Sequence, residues 1–442
     1  MLTKLLIGLI ISLTIFSSYK TTEPIIEEPA TLSVFSQDTS EAELSECAYT
    51  RLSFDESEPA TEMMSFYRFS DENSTLFGLV DTNGALVCPP VYDWAEDSSE
   101  GYSVVYIDAE HSDKEYYDVF GNLIENDISV CTYVNLKGEE CFGYYSDALS
   151  FSEGVAFVKD VNKNWHAMNK NGEIIHSFDE SIESLEPYSE GLALFRTKDG
   201  KNGFINHDFT TVIPAVYSYA ESFSDGMAVV TIDGGNLAYI NKNGELQVYT
   251  DIPFEKIERD SFGYFADYDR YQFSEGLAAL TDYDKTVPIR HYYINKSGET
   301  VIDNVFGTKF THGLAAVRDE TTEAMGFIDK TGEYVIPPIY SKVFPFSEDG
   351  LALVYGFESV PKEYIDIDVS SVYFCGYINT KGEVVIPLEY CTRRLWGNPI
   401  YANGIIELYK EGYTYFFNSN GEIIGKTVEN NEKLEEYEKL KN

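Results

Sequence analysis

The chain has 442 residues, of which 74 are acidic and 32 basic, for a net charge of −42. That balance excludes a binder of nucleic acid, which needs Lys and Arg to displace counterions from phosphates, and an electrostatic grip on anionic lipid. With 34 Tyr and 28 Phe there is ample apolar surface to bury, so most of the chain is expected to fold, and its aromatic richness points to strands.

The N-terminus reads "MLTKLLIGLIISLTIF": one Lys, an apolar run over 5–16, then Ser17 and Ser18. This is the charge–apolar–small order of a secretory signal, and the run is short of the roughly 20 residues of a spanning helix. Residues 1–19 are therefore read as a signal peptide, with an uncleaved N-terminal anchor as the alternative. The first Cys is Cys47, too far along to take a lipid, so export without a lipid anchor is expected. Residues 20–60 are rich in Thr, Ser, Glu and Pro and lack period. They read as a flexible acidic linker.

From residue 61 to 425 the chain repeats itself. "FSEG" stands at 151–154 and 273–276, with the looser copies "YSEG" at 188–191, "FSDG" at 223–226, "FTHG" at 310–313 and "FSEDG" at 346–350. The glycines that open units are Gly101, Gly154, Gly191, Gly226, Gly276, Gly313, Gly350 and Gly404, which gives a base period of about 36 residues with three insertions. Each glycine suits a turn of positive φ. A short apolar strand follows, such as "LALF" at 192–195 or "LAAV" at 314–317, apolar on both alternating faces and so buried on both. Its second residue is small: Ser103, Ala156, Ala193, Ala228, Ala278, Ala315, Ala352. Something is expected to pack closely there.

A second strand then runs into a turn with Asn or Asp three residues before Gly, as in Asn169/Gly172, Asn241/Gly244, Asn295/Gly298, Asp329/Gly332 and Asn379/Gly382. The Asx side chain caps such a turn and Gly takes its left-handed position. Asn206 breaks the rule, because Phe209 stands where Gly belongs. A third strand such as "EYVIP" at 333–337 ends in Pro, which cannot donate to a ladder. The "FSEG" stretch is then the joint at which one unit hands over to the next. The last residues, 426–442, read as a charged helical tail with i,i+4 pairs.

These residues resemble the WG-repeat family of bacterial proteins, whose pattern runs F-S-E-G-L-A-x-V, then W-G-[FY]-I-D-x-x-G, then V-I-P-P-x-Y-D. The resemblance covers about 63–425 and is fullest in "MGFIDKTGEYVIPPIYSKVFPFSEDGLALV" at 325–354. The tryptophan slot departs from the pattern: it holds Trp only at Trp165, where His166 replaces the following glycine, and elsewhere Phe77, Asn202, Leu237, Met325 or Cys375. The resemblance implies an interaction or surface protein with no established catalytic residues. The fold expected is all-β, a propeller-like array of tandem repeats, with an open β-solenoid as the alternative. Nine second-strand turns against eight opening glycines leave both architectures standing.

Chemistry is sparse. The six Cys are Cys47, Cys88, Cys131, Cys141, Cys375 and Cys391, with no C-x-x-C pair; Cys131/Cys141 and Cys375/Cys391 are candidate local bridges, or else small buried thiols. No His pair has zinc spacing and no nucleophile elbow is present. His166 reads as a surface or satisfied core residue. "DVNKN" at 160–164 starts like a calcium loop, but Trp165 and Asn171 stand where Gly and Glu are needed. No metal and no cofactor are expected.

Inserted loops are the remaining candidates, since interruptions of a repeat tend to lie on one face and bind. One carries Tyr264, Asp267, Tyr268, Asp269 and Tyr271; the other carries Glu363, Tyr364, Asp366 and Asp368. Aromatic rings beside carboxylates suit a sugar ring or a protein surface. The expected function is that of an exported, envelope-associated binding or scaffolding protein, secreted or held at the cell envelope, whose partner is a protein or a cell-surface glycan. The alternative is a glycosidase-like enzyme that uses a carboxylate pair from these loops.

Overall fold

The computed structural model describes residues 30–31, 48–51, 64–70, 75–81, 86–96, 98–107, 115–124, 130–232, 235–254, 271–282, 290–359, 373–392, 401–402, 404–410 and 413–428. The described chain is all-β, without an α-helix. It forms nine antiparallel sheets of three or more strands, seven of them meanders of sequence neighbours; the second carries an inserted hairpin between two of its strands, and the last pairs with strands from the start of the chain. One unit shows the plan: Ile182–Leu185, Ala193–Thr197, Asn202–Ile205 and Thr211–Tyr217 pair in that order. The next repeats it with Tyr219–Ala220, Met227–Thr231, Asn236–Asn241 and Leu246–Pro253. The short strand before the opening glycine, here Tyr219–Ala220, lies in a stretch that reads from sequence as a mere connection.

The mismatch between eight glycines and nine turns now has its cause. The sheet of Met64–Ser70, Thr75–Asp81 and Leu86–Tyr92 precedes Gly101 and has no opening glycine of its own. The array is propeller-like, with sheets standing face to face and the core between them. One cluster joins Leu192, Leu194 and Phe204 of one sheet to Phe223, Val230 and Ile240 of the next. Equivalent clusters join the pairs before and after it. The small residues of the first long strands are buried almost completely, from Ser103 and Ala156 to Ala315 and Ala352. This is the close packing their size implies.

At the far end, the last sheet runs Tyr401–Ala402, Ile405–Lys410, Tyr413–Asn418, Ile423–Val428. Ala48–Arg51 adds antiparallel to Ile423–Val428, and Ala30–Thr31 adds outside it. Part of the stretch read as linker is thus strand, and strand also claims the first three residues of the stretch read as helical tail. Residues 1–29 and 429–442 lie outside the described residues.

All eight opening glycines have positive φ, between 73° and 92°. Gly172, Gly244, Gly298, Gly332 and Gly382 of the Asx turns do as well. Asn169 shows the cap, its Oδ1 accepting from the N–H groups of Asn171 at 2.9 Å and Glu173 at 3.1 Å. At the exception, Phe209 itself takes φ of 58°, and its ring stacks on His176 at 4.5 Å. Cys131, Cys141, Cys375 and Cys391 are free thiols. Cys131 and Cys375 are completely buried and fill the core, and that burial pushes their thiols well up.

Candidate functional site

Two arrangements stand out: the repeated joint, and one inserted hairpin. Each of the first six joints is a two-residue hairpin turn, while the seventh, from Ser347 to Leu351, encloses three residues. In the first, Ser99 and Tyr102 exchange backbone hydrogen bonds of 2.8 and 3.1 Å around Glu100 and Gly101. Both central residues have positive φ, 54° for Glu100 and 92° for Gly101, which is the type I′ geometry that matches strand twist. A non-glycine residue in that region costs about 1 kcal/mol or more. The same cost is accepted at Glu153, Glu190, Asp225, Glu275 and His312. Sequence reasoning foresaw the glycine but not the strained acid before it.

The acid is held there by the next unit. The Gly154 N–H donates to the Glu100 carboxylate at 3.0 Å, and the Ser99 hydroxyl donates to the Phe151 carbonyl at 2.6 Å. Gly191 meets Glu153 at 3.0 Å, Gly226 meets Glu190 at 2.9 Å and Gly313 meets Glu275 at 3.0 Å. Gly276 meets Asp225 in the same way. The serines repeat as well, from Ser152, Ser189, Ser224 and Ser274 to the carbonyls of Tyr188, Phe223, Phe273 and Phe310. A basic side chain on the next unit's Asx turn completes each clasp: Lys170 on Glu100, His207 on Glu153, Lys242 on Glu190, Lys296 on Asp225, Lys330 on Glu275. At Glu153 burial raises the carboxyl pKa, but the His207 and Gly191 hydrogen bonds outweigh it and hold the group below its ordinary value. "FSEG" is therefore a lock between neighbouring sheets.

The sixth joint lacks that chemistry. Thr311 replaces Ser, and its buried Oγ1 has no hydrogen-bond partner among the described residues. His312 replaces the acid and reaches the Ser347 carbonyl at 2.8 Å. Thr380 stands at the position of the lysine.

Of the three insertions, the one between Gly101 and Gly154 folds in part as a hairpin, Tyr116–Tyr117 against Leu123–Ile124. Asp118 caps its turn, accepting from the Phe120 N–H at 3.0 Å and the Asn122 N–H at 2.8 Å. Tyr116 and Ile124 anchor it on Val130. Outward it presents Tyr117, Val119, Phe120 and Leu123, each 40–49 % exposed. From sequence, Asp118/Gly121 in "DVFGN" reads as one of the nine second-strand turns of the repeat; the structure places it on this inserted hairpin, and the sheet's own second-strand turn is capped by Asn135 and closed by Gly138.

The Phe120 ring lies 4.7 Å from that of His166 on the neighbouring sheet. His166 is buried and fully engaged, with Nδ1 2.8 Å from the Ser177 Oγ and Nε2 3.3 Å from Asp160 Oδ2. Asp160 Oδ1 accepts the Asn164 N–H at 2.8 Å, so "DVNKN" is a capped turn. Burial would raise the Asp160 carboxyl, but Asn164 and His166 together hold it below its usual range. The described residues hold no cluster of three metal-ligating side chains.

The loop residues predicted from sequence fare differently. Tyr264, Asp267, Tyr268 and Asp269 lie outside the described residues, as do Glu363, Tyr364, Asp366 and Asp368. Tyr271 is a correction: it is 3 % exposed and packs in the core with Val248, Phe273 and Leu280. Its carbonyl accepts the Tyr239 hydroxyl at 2.7 Å. It closes the loop onto the sheet, because the residue two before the motif's Phe faces inward.

The family model for the WG containing repeat matches this chain at residues 77–109, 132–165, 203–235, 325–355 and 376–390. The chain is a WG-repeat protein. The WG glycine has a steric reason here. A Cβ on Gly203 would sit 2.7 Å from the Ile213 carbonyl oxygen, and one on Gly326 would sit 2.5 Å from that of Ile336. At both positions the third strand bulges around a proline, three residues against one. Among solved structures, this WG-repeat chain is similar to one described as the eukaryotic initiation factor, at 10% identity and a TM-score of 0.43, over 84% of this chain and 97% of that one. It is similar to BamB from Moraxella catarrhalis at 11% identity and a TM-score of 0.34, over 83% and 98%. A third likeness, to HIRA(644-1017), has 14% identity and a TM-score of 0.25 over 35% and 54%. No curated protein matches the chain.

Proposed function

We propose that this WG-repeat chain is an exported, envelope-associated protein that binds or scaffolds a protein or a cell-surface glycan. The observation that carries the reading is the inserted hairpin. It holds Tyr117, Val119, Phe120 and Leu123 toward solvent on a capped turn that rests on two sheets. Rigid exposed aromatics lose little conformational entropy on binding, and a strongly acidic surface keeps such a patch soluble. The N-terminal charge–apolar–small pattern supports export.

The test is retention of the purified chain by isolated cell wall in one arm and by envelope protein extract in the other. Saturable retention that Tyr117→Ala/Phe120→Ala reduces at least tenfold is expected. Absence of saturable retention in both arms, or retention indifferent to the double variant, would refute the reading.

A further inference from the structure

We propose that Ser177, His166 and Asp160 form a hydrolytic site for small carboxylic esters, with Phe120 of the inserted hairpin as its apolar wall. The three side chains form one hydrogen-bonded line, from Ser177 Oγ to His166 Nδ1 at 2.8 Å and from His166 Nε2 to Asp160 Oδ2 at 3.3 Å. An ionised carboxylate only accepts, so Asp160 takes the proton on Nε2 and leaves Nδ1 as an acceptor for the Ser177 hydroxyl. That is the tautomer a general base needs. The imidazole is turned over relative to the serine-protease arrangement, with serine on Nδ1 and aspartate on Nε2, and the logic of nucleophile, base and orienting acid is the same. The gradient of exposure is also right: Asp160 and His166 are 5 % and 6 % exposed, while Ser177 is exposed at the end of its strand.

The local fold explains why this occurs in one sheet. At Gly203, Gly326 and Gly376 the third strand crowds the glycine with a proline bulge. In the sheet of Trp165–Asn169 the third strand is Ile174–Ser177, which contains no proline. Ser177 then pairs in register directly opposite His166. A cross-strand pair puts both side chains on one face, and the adjoining unit lays Phe120 against the ring at 4.7 Å. Ile175 of the same strand and Phe120 are both exposed, 44 % and 49 %, which offers apolar surface to an acyl chain.

In the acylation step the Ser177 proton passes to His166 Nδ1 as Oγ bonds to the ester carbonyl carbon. The tetrahedral intermediate collapses, the ester C–O bond breaks, and the leaving alkoxide takes the proton from Nδ1. Water then attacks the acyl-serine by the same relay, gives its proton to Nδ1, and releases the carboxylic acid as Ser177 regains its hydrogen. General-base assistance of this kind contributes roughly 100- to 10,000-fold.

The test uses the full chain and two probes, a fluorophosphonate and p-nitrophenyl acetate. The phosphonate should label Ser177, with P–F cleavage and loss of fluoride, in a peptide identified by mass spectrometry. Ser177→Ala, at an exposed position that leaves the packing intact, should abolish the adduct and lower ester hydrolysis at least tenfold. Asp160→Asn keeps the turn cap. It should slow labelling and lower kcat for p-nitrophenyl acetate at least tenfold while KM stays unchanged; a purely structural role for Asp160 would shift KM as well. Phe120→Ala should raise KM for a butyrate ester more than for the acetate. No adduct on Ser177, or hydrolysis unchanged in Ser177→Ala, overturns the proposal.

Discussion

Five joints of the array and the sixth are built on the same backbone turn, yet only five are locked. From Glu100 to Glu275 each turn offers a serine hydroxyl and a carboxylate to the next sheet, which answers with a carbonyl, a glycine N–H and a lysine or histidine side chain. At Thr311 and His312 the serine, the acid and the answering lysine are all replaced together, and one hydrogen bond to Ser347 remains. The backbone at His312 still has φ of 53°. The strained turn therefore comes from the repeat's geometry, and the clasp is a separate layer of chemistry laid over it.

The comparison can be broken from the strong side first. Glu190→Ala strands the Gly226 N–H and Lys242, and removing a charged hydrogen-bond acceptor should cost about 1.5–3 kcal/mol. His312→Ala should cost no more than about 0.5 kcal/mol, as ordinary surface changes do. Urea denaturation of both variants checks the contrast, and equal losses would show that the clasps carry no stability. The weak side can then be repaired. The triple change Thr311→Ser, His312→Glu and Thr380→Lys should add about 1–2 kcal/mol, read as a shift of the urea midpoint at constant slope. Ser189→Ala, which loses a 2.7 Å bond to the Phe223 carbonyl, should cost about 1 kcal/mol.

The smallest effect is one of pH. The Glu153 carboxyl is held below its ordinary value of 4.5. Its contribution is therefore complete above about pH 4.5 and is lost as pH falls through the lower, folded value. Glu153→Gln should flatten stability against pH below that point by less than about 1 kcal/mol, because the pair is part-exposed and screened. A clasp weaker in high salt would be consistent with this.

Much of the fold was legible because the repeat imposes its chemistry at fixed places. Opening glycines, small residues such as Ala156 and Ala193, and Asx turns each answer one steric demand, and each is met as expected. What the sequence hid depends on contacts between units. Nothing in "FSEG" alone says that its Glu reaches a glycine in the following unit, because that proximity arises only when the sheets stand face to face. The same holds for Phe120 over His166, two residues 46 positions apart. Tyr271 misled because an aromatic residue in an insertion looks like a surface ligand until its strand-side neighbours are known. The line through Ser177, His166 and Asp160 was hidden by a bulge that fails to occur, and a missing proline in "EIIHSF" at 173–178 was the one available signal.

The direction of the clasps has an evolutionary corollary. Every lock takes side chains from one unit and backbone plus a lysine or histidine from the following one, so the contact is head-to-tail and each unit between two locks carries one half of each. Removing residues 191–225 would leave Ser152 on the Tyr188 carbonyl and set Glu153 against the Gly226 N–H in place of that of Gly191, with Lys242 in the place of His207. Units of this type can be duplicated or lost without redesigning any junction, and the length of such a protein is free to drift while its joints stay the same.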